Sequence, residues 1–325
     1  MSTTASQYTV AIIGATGNLG KDITNVFLTS YKASFAKIVV VARDPSSPAA
    51  KQFAEQGAEV RPVNPADAVG SLTRAFASVD VVVNTVSGSS SEYSDAIFQA
   101  ALNVGAKVYF PSEFGSDHRL NDFPGWDDLG WNSKREHVRK ARELAKGKVK
   151  IIALYTGLFQ EGTFGVSLLG FDHTSLTYTF VGSADAKTAV TAKADIGRSL
   201  AELSLLALSP ESAARVPDDV RIAGQNVSYR QTKEIVERVR VELRVEPRGE
   251  ITLKSLDLTE ERAKLREAQL KSPAPGPLGH IKILIGEGKM DFSENHNELV
   301  NPGQKNWKWK SVEEYIREVR GAPFS

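Results

Sequence analysis

The chain has 325 residues, with 40 Lys plus Arg against 39 Asp plus Glu, so its net charge is +1 and no nucleic-acid or anionic-membrane footprint is present. It contains no cysteine and five histidines, none at HxxxH spacing, which excludes disulfides, thiolate zinc sites and a cysteine nucleophile and argues against a metal site. No apolar run reaches the ~20 residues of a membrane span, and the polar N-terminus does not read as a signal peptide, so a cytoplasmic protein without nucleic-acid or membrane partners is expected.

Six short, mostly continuous apolar runs are predicted as strands: Tyr8–Ile13, Lys37–Val41, Ala58–Pro62, Asp80–Val86, Lys107–Phe110 and Ile151–Tyr155. Such runs suit parallel strands with helices on both faces. Between them, Leu19, Ile23, Val26 and Phe27 form one helical stripe, and Tyr93, Ile97, Ala100, Ala101 and Val104 another. This alternation predicts an α/β fold, a doubly wound parallel sheet with right-handed crossovers.

The second half reads differently. Strands are predicted at Leu176–Val181, Val220–Ala223, Ile251–Lys254 and Ile281–Ile285, and an amphipathic helix over Ala194–Leu208. Ser228–Gln231 and Ser311–Glu314 have the form of capping boxes that open two more helices. Ser272–Gly279, with three prolines and two glycines, reads as a surface loop. The expected organisation is a nucleotide-binding domain over residues 1–157, then a smaller α+β substrate domain over 158–325, with some later segments returning to the first sheet.

Gly14, Gly17 and Gly20 follow the first strand and open a helix, as a Rossmann-type dinucleotide turn requires. The first glycine permits the tight turn, the second lets backbone approach a pyrophosphate, and the third lets helix and strand pack closely. Thr16, Asn18 and Leu19 complete the turn, and the helix N-terminus offers N–H groups and partial positive charge to phosphates. Arg43 and Asp44 end the second strand, where an acid would bind the ribose hydroxyls of NAD and an arginine the 2′-phosphate of NADP. Arg43, with Lys51 a short loop later, tips the expectation to NADPH, although Asp44 pulls the other way; a solvated charge is the plain alternative for Arg43. Thr85, Val86, Ser87 and Gly88 follow the fourth strand and are expected to wall the cofactor.

Gly14–Gly20 in the form GATGNLG, Arg43, and Phe110-Pro111-Ser112-Glu113-Phe114-Gly115 together resemble the NmrA-like, isoflavone-reductase-like branch of the atypical short-chain dehydrogenases. That branch includes pinoresinol–lariciresinol and phenylcoumaran benzylic ether reductases. The resemblance continues through Tyr155-Thr156-Gly157-Leu158-Phe159 to Gly286-Glu287-Gly288 and residues 307–319, which resemble the closing strand and helix of the family. It implies NADPH, reduction of a small aromatic substrate, and a catalytic lysine on the helix after FPSEFG, a position that Lys134 matches. It also implies a histidine near the substrate, for which His280 is the candidate, with a surface or satisfied core histidine as the plain alternative. The chain departs from the plant reductases at Gly157, where they commonly carry asparagine, which bears on the substrate more than on the reaction class.

Lys134 also stands out by geometry alone. At ~100° per residue it shares a helix face with Val138, Ala141 and Ala145, whereas Arg135, Arg139, Lys140, Arg142 and Lys146 lie on other faces. A partly buried lysine near a helix N-terminus is expected to have a lowered pKa and to exchange protons near neutrality, unless it merely snorkels over apolar surface. Tyr229 and Lys233 form a literal YxxxK, the pair of ordinary short-chain dehydrogenases, but they begin a helix far from the fifth strand and read as helix-start residues. Phe159 either packs on the nicotinamide or fills core. Phe114, Gly157 and His280 are substrate-side candidates, and Glu113 is expected to fix its loop by hydrogen bonding. The sequence thus points to an NADPH-dependent reductase of a small aromatic or conjugated substrate, with a homodimer expected. The alternative is a non-catalytic regulator that senses the dinucleotide.

Overall fold

The apolar runs of the first half become strands covered on both faces, because Val10–Ile13, Val39–Val41 and Val81–Val83 carry nothing that water would hold. The structure is a computed structural model and describes residues 8–88, 90–164, 169–273 and 276–321. Chain order opens with β1 (Thr9–Ile13), α1 (Asn18–Thr29), β2 (Lys37–Ala42), α2 (Pro48–Glu55) and β3 (Glu59–Pro62). It continues with α3 (Ala68–Ala75), β4 (Val81–Asn84), α4 (Ser91–Asn103), β5 (Val108–Phe110), α5 (Leu129–Ala145) and β6 (Lys150–Ile151). Next come β7 (Ala153–Tyr155), β8 (Leu158–Phe159), α6 (Gln160–Thr163), β9 (Phe171–Asp172), β10 (Thr177–Val181), β11 (Lys187–Thr191) and α7 (Lys193–Leu208). The last elements are β12 (Asp219–Arg221), β13 (Gln225–Ser228), α8 (Tyr229–Glu242), β14 (Thr252–Leu256), α9 (Leu258–Lys271), α10 (Leu278–Gly286), α11 (Asn297–Val300) and α12 (Val312–Glu318).

By compactness the chain divides into two units, each assembled from three segments. The first takes Met1–Glu113, Ser133–Leu154 and Ile196–Val220; the second takes Phe114–Asn132, Tyr155–Asp195 and Arg221–Ser325. The expected boundary at 157/158 thus falls just past the crossing between Leu154 and Tyr155. The first unit is built on a six-stranded, all-parallel sheet in the order β3-β2-β1-β4-β5-β6. Ile12 pairs with Val40 on one side and Val83 on the other, so the strand order reverses at β1, where such sheets bind ligands outside their carboxyl ends. Its core joins the sheet to Leu72, Phe76, Ile97, Phe98, Ala141 and Ala145 of the flanking helical segments.

In the second unit, β14-β10-β9 and β13-β11-β8 form two three-stranded sheets of mixed direction. Their core includes the stacked rings of Phe180 and Tyr229, and of Phe171 and Tyr178. Both expected capping boxes form: Ser228 with Gln231 opens α8, and Ser311 with Glu314 opens α12.

Several expectations need correction. Among the described residues no strand after β6 joins the six-stranded sheet; what the first unit gains from the later chain is most of α7 and the segment behind it. The run Ile151–Tyr155 breaks at Ile152 because β6 pairs with β5 whereas β7 pairs with β12. Ile281–Ile285 is helix α10, not strand. An apolar run this short fits either, and here His280, Ile283, Leu284 and Ile285 are all buried, as in a helix enclosed by core. Gly286 ends that helix, so Gly286-Glu287-Gly288 is a turn and not a closing strand. In the proline-rich loop, residues 274 and 275 lie outside the described set, and Leu278 and Gly279 already belong to α10.

Because α10 buries adjacent side chains, Ile283→Ala and Leu284→Ala should each lower the free energy of unfolding in urea by ~2–5 kcal/mol. A half-buried strand would leave one of the two nearly silent, and that result would restore the strand reading.

Candidate functional site

β1 runs into a turn that only glycine allows. Gly14 has φ +83°, and a Cβ there would lie 2.7 Å from Thr85 Oγ1. A Cβ on Gly20 would lie 2.1 Å from the Gly14 carbonyl oxygen, so the first turn of α1 can meet the end of β1 only without a side chain. Gly17 differs from both. Its φ is ordinary, and a Cβ there would touch only the Gly14 oxygen, at 3.1 Å, leaving its outer side open. As N-cap of α1, Gly17 supplies no side chain to the first-turn N–H groups, and Thr16, Gly17 and Asn18 are exposed while Leu19 is buried. This cradle fits a pyrophosphate, which would occupy the space a side chain at 17 would take.

Beside it, the end of β2 presents Arg43 and Asp44, both exposed, and Lys51 is exposed on α2. Asp44 is already engaged: its Oδ1 accepts hydrogen bonds from Ser46 Oγ at 2.6 Å and from the Ser46 amide at 2.9 Å. These bonds hold its carboxyl below the usual carboxylate range, with a smaller contribution from Lys51. A carboxylate turned onto its own loop is poorly placed to read ribose hydroxyls, so the open chemistry at this strand end is cationic.

At the end of β4, the Thr85 amide and Thr85 Oγ1 both donate to the Ile13 carbonyl, at 2.9 and 2.8 Å. The Val86 amide donates to Asn84 Oδ1 at 3.0 Å. The segment Thr85–Gly88 is thereby pinned beside the glycine turn, with Ser87 next to Gly88, whose φ is +66°.

Asp128 accepts from the amides of Gly130 and Trp131, starting α5. In its second turn sits Lys134, half-buried, in line with the buried Val138, Ala141 and Ala145 as the periodicity required. Lys134 Nζ donates to the Glu113 carbonyl oxygen at 2.8 Å. This bond holds the ammonium at the carboxyl end of β5, and Glu113 itself is buried. The cradle, Arg43, the Thr85 segment and Lys134 therefore share one edge of one parallel sheet.

The remaining candidates lie in the second unit. Phe114 is buried with φ +30°, a conformation that a side chain adopts only under constraint. Gly157 has φ +64°, and a Cβ there would lie 2.2 Å from the Ala189 carbonyl oxygen, so this position accepts no asparagine without moving β11. Phe159 ends β8 opposite Thr191 and is half-buried. His280 is fully buried on α10: Nε2 lies 2.9 Å from the Trp126 carbonyl oxygen, and the ring stacks on Trp126 with Phe123 and Trp131 edge-on. Its Nδ1 has no hydrogen-bond partner among the described residues. Tyr229 is buried against Phe180, burial pushes its phenol pKa up, and Lys233 pairs with Glu250 at 2.8 Å; these two residues make no proton-transfer pair.

Two polar groupings escape sequence reasoning. Asp117 has no exposed side chain. Burial pushes its pKa up, but hydrogen bonds and charge from Arg119 and Arg221 outweigh this and hold it below the usual range. In the first unit, Asp95, His137, Tyr109 and Asn84 form a hydrogen-bonded chain. The one available signal was His137 lying one turn beyond Lys134 toward the same face.

A family model described as the NmrA-like family matches residues 6–240. Among curated proteins, the chain is 27% identical over 248 residues to an NmrA-like family domain-containing oxidoreductase of Gibberella moniliformis, covering 70% of this chain and 75% of that one. Among solved structures it is similar to isoflavone reductase, with a TM-score of 0.73 at 17% identity over 97% of this chain and 100% of that one. It is also similar to AtPrR2 with NADP+ and (+)-pinoresinol, with a TM-score of 0.74 at 19% identity over 96% and 99%. At these identities the structural likeness shows the fold.

Gly17 and Gly20 should separate by experiment. Gly20→Ala should lower stability by ~1–3 kcal/mol through overpacking, whereas Gly17→Ala should stay within ~0.5 kcal/mol of the parent in a thermal melt. Equal losses at both positions would contradict the geometry of the turn.

Proposed function

The chain belongs to the NmrA-like family, and we propose that it acts there as an NADPH-dependent oxidoreductase, with Lys134 as general acid–base toward a small aromatic or conjugated substrate. The carrying observation is the sharing of one sheet edge by the open glycine cradle, the cationic end of β2 and an ammonium held on the Glu113 carbonyl. The oxidoreductase named among the relatives and the NADP+ in a structural neighbour support this reading. It extends to a cytoplasmic protein, with a homodimer as the assembly that light scattering would detect.

The first-turn N–H groups of α1, from Asn18 onward, would hold the pyrophosphate over Gly17, whose own amide already donates to the Gly14 carbonyl at 2.8 Å, and Arg43, with Lys51, would hold the 2′-phosphate. Thr85, Val86 and Ser87 would wall the cofactor. When bound, NADPH supplies the hydride. Lys134 gives its proton to the substrate oxygen that gains negative charge as the hydride arrives, and recovers one from water afterwards. Its bond to the Glu113 carbonyl keeps Nζ at one place between turnovers, which is the orientation that general acid catalysis needs. On the substrate side the reading carries Phe114, Gly157, Phe159 and His280. Of these, His280 Nδ1 is a buried polar atom without a partner among the described residues, enclosed by Phe123, Trp126 and Trp131.

NADPH should bind at least tenfold more tightly than NADH by fluorescence titration, since charge-assisted bonds to the 2′-phosphate are each worth ~1.5–3 kcal/mol. Arg43→Ala should remove most of that preference; an unchanged ratio would assign selection to another residue.

Lys134→Ala should keep NADPH affinity and lose roughly 10²–10⁴ in turnover on an aromatic enone or lignan panel. Arg139→Ala and Tyr229→Phe should stay close to the parent. Full activity in Lys134→Ala would refute the mechanism, and a loss in Tyr229→Phe with cofactor binding intact would move the proton donor there. If the parent reduces nothing while binding NADPH, the dinucleotide-sensing regulator replaces the enzyme.

A further inference from the structure

Tyr109 lies in the middle of the sheet core, fully buried on β5 against Phe98, where a phenylalanine would fill the same space without needing a hydrogen-bond partner. Its hydroxyl has two partners. Asn84 Nδ2 approaches at 3.3 Å and His137 Nε2 at 3.0 Å, and His137 Nδ1 lies 2.8 Å from Asp95 Oδ1. His137 and Asn84 are themselves buried, whereas Asp95 reaches the surface, where Lys140 Nζ sits 3.3 Å from its other oxygen.

Counting donors fixes the direction of every bond. Asn84 Oδ1 accepts from the Val86 amide, so its NH₂ must face Tyr109. The Tyr109 oxygen then accepts from Asn84 and must donate its own proton to His137. His137 Nε2 is therefore the unprotonated nitrogen, and Nδ1–H donates to the Asp95 carboxylate. Burial keeps the phenol protonated, as a donor must be. The chain thus runs one way, from the Val86 amide through Asn84, Tyr109 and His137 to Asp95, and bonds in such a series polarise one another. It starts at the Thr85–Gly88 segment, which Thr85 pins from the other side by its two bonds to Ile13.

We propose that His137, oriented by Asp95, is a positioning residue for cofactor binding: through Tyr109 and Asn84 it fixes the Val86 amide and so sets the wall of the dinucleotide site. This inference rests on the NADPH reading and deepens it. In this role Asn84, Tyr109, His137 and Asp95 act on the wall of the site and take no part in the proton transfer. Its effect is to keep the wall in its bound shape before the cofactor arrives, so that binding does not have to order it.

The test has two parts. In the protein without cofactor, nitrogen-15 spectra of labelled histidine, with His137→Gln to assign the signal, should show His137 as the Nε2-unprotonated tautomer. Exchange of the Val86 amide with solvent should speed up in Tyr109→Phe. In the second part, Tyr109→Phe and His137→Leu should each raise Kd and KM for NADPH by roughly 3–10-fold, with kcat within about twofold. His137→Gln keeps a side-chain oxygen to accept from Tyr109 and an NH₂ to face Asp95, and should restore affinity to within about twofold of the parent. A merely structural histidine would lower the melting temperature without concentrating its effect on NADPH KM, and the glutamine would not rescue. A His137 protonated at Nε2, unchanged Val86 exchange in Tyr109→Phe, or unchanged NADPH affinity in both variants would overturn the proposal. If the parent itself binds no NADPH, the reading of function fails and the positioning role falls with it. The tautomer and exchange measurements would still tell that failure apart from a failure of the hydrogen-bonded chain.

Discussion

The Gly14 carbonyl oxygen stands 2.1 Å from where residue 20 would place a Cβ, and the first unit depends on that contact. β1 and α1 can meet this closely only through glycine, and Thr85 fills the other flank of the same turn with two bonds to Ile13. The close approach fixes where α1 begins, and so where its first N–H groups point. It does so at the strand where the sheet order reverses, the place at which a parallel sheet opens toward a ligand. Gly17 alone of the three glycines faces open space. Two glycines are therefore spent on packing and one on approach.

Around that turn, the site is built by commitment of neighbours rather than by unusual groups. Asp44 could oppose an anion, but Ser46 occupies its carboxylate, leaving Arg43 and Lys51 to set the charge at the end of β2. Lys134 could snorkel to water, but the Glu113 carbonyl takes its ammonium at the end of β5. In both cases a short hydrogen bond settles a question that residue type leaves open.

Much of the first unit was legible because parallel strands buried on both faces must be continuously apolar, and the helices between them carry an inward stripe. The same periodicity found Lys134. The second unit was harder for a physical reason: β8 and β9 are two residues long, too short to show a period, and β8 pairs with Val190 and Thr191 far along the chain. Periodicity also failed at α10, a short helix whose apolar residues lie on its exposed side, at Leu278, as well as on its buried one. The chain Asp95–His137–Tyr109–Asn84 was out of reach because its links span 42, 28 and 25 residues, so no local pattern records them. That residue 157 must be glycine was also out of reach, because the demand comes from the Ala189 carbonyl, 2.2 Å from where a Cβ would lie.

We propose that one edge of the parallel sheet holds a dinucleotide through residues 16–20, Arg43, Lys51 and residues 85–87. Amide hydrogen exchange of the wild-type protein with and without saturating NADPH measures this directly. Strong protection is expected at the first turn of α1 and in the Val86 region, with a smaller effect at the end of β2 that NADH reproduces only weakly. Protection confined to other segments, or none at all with NADPH bound, would contradict it.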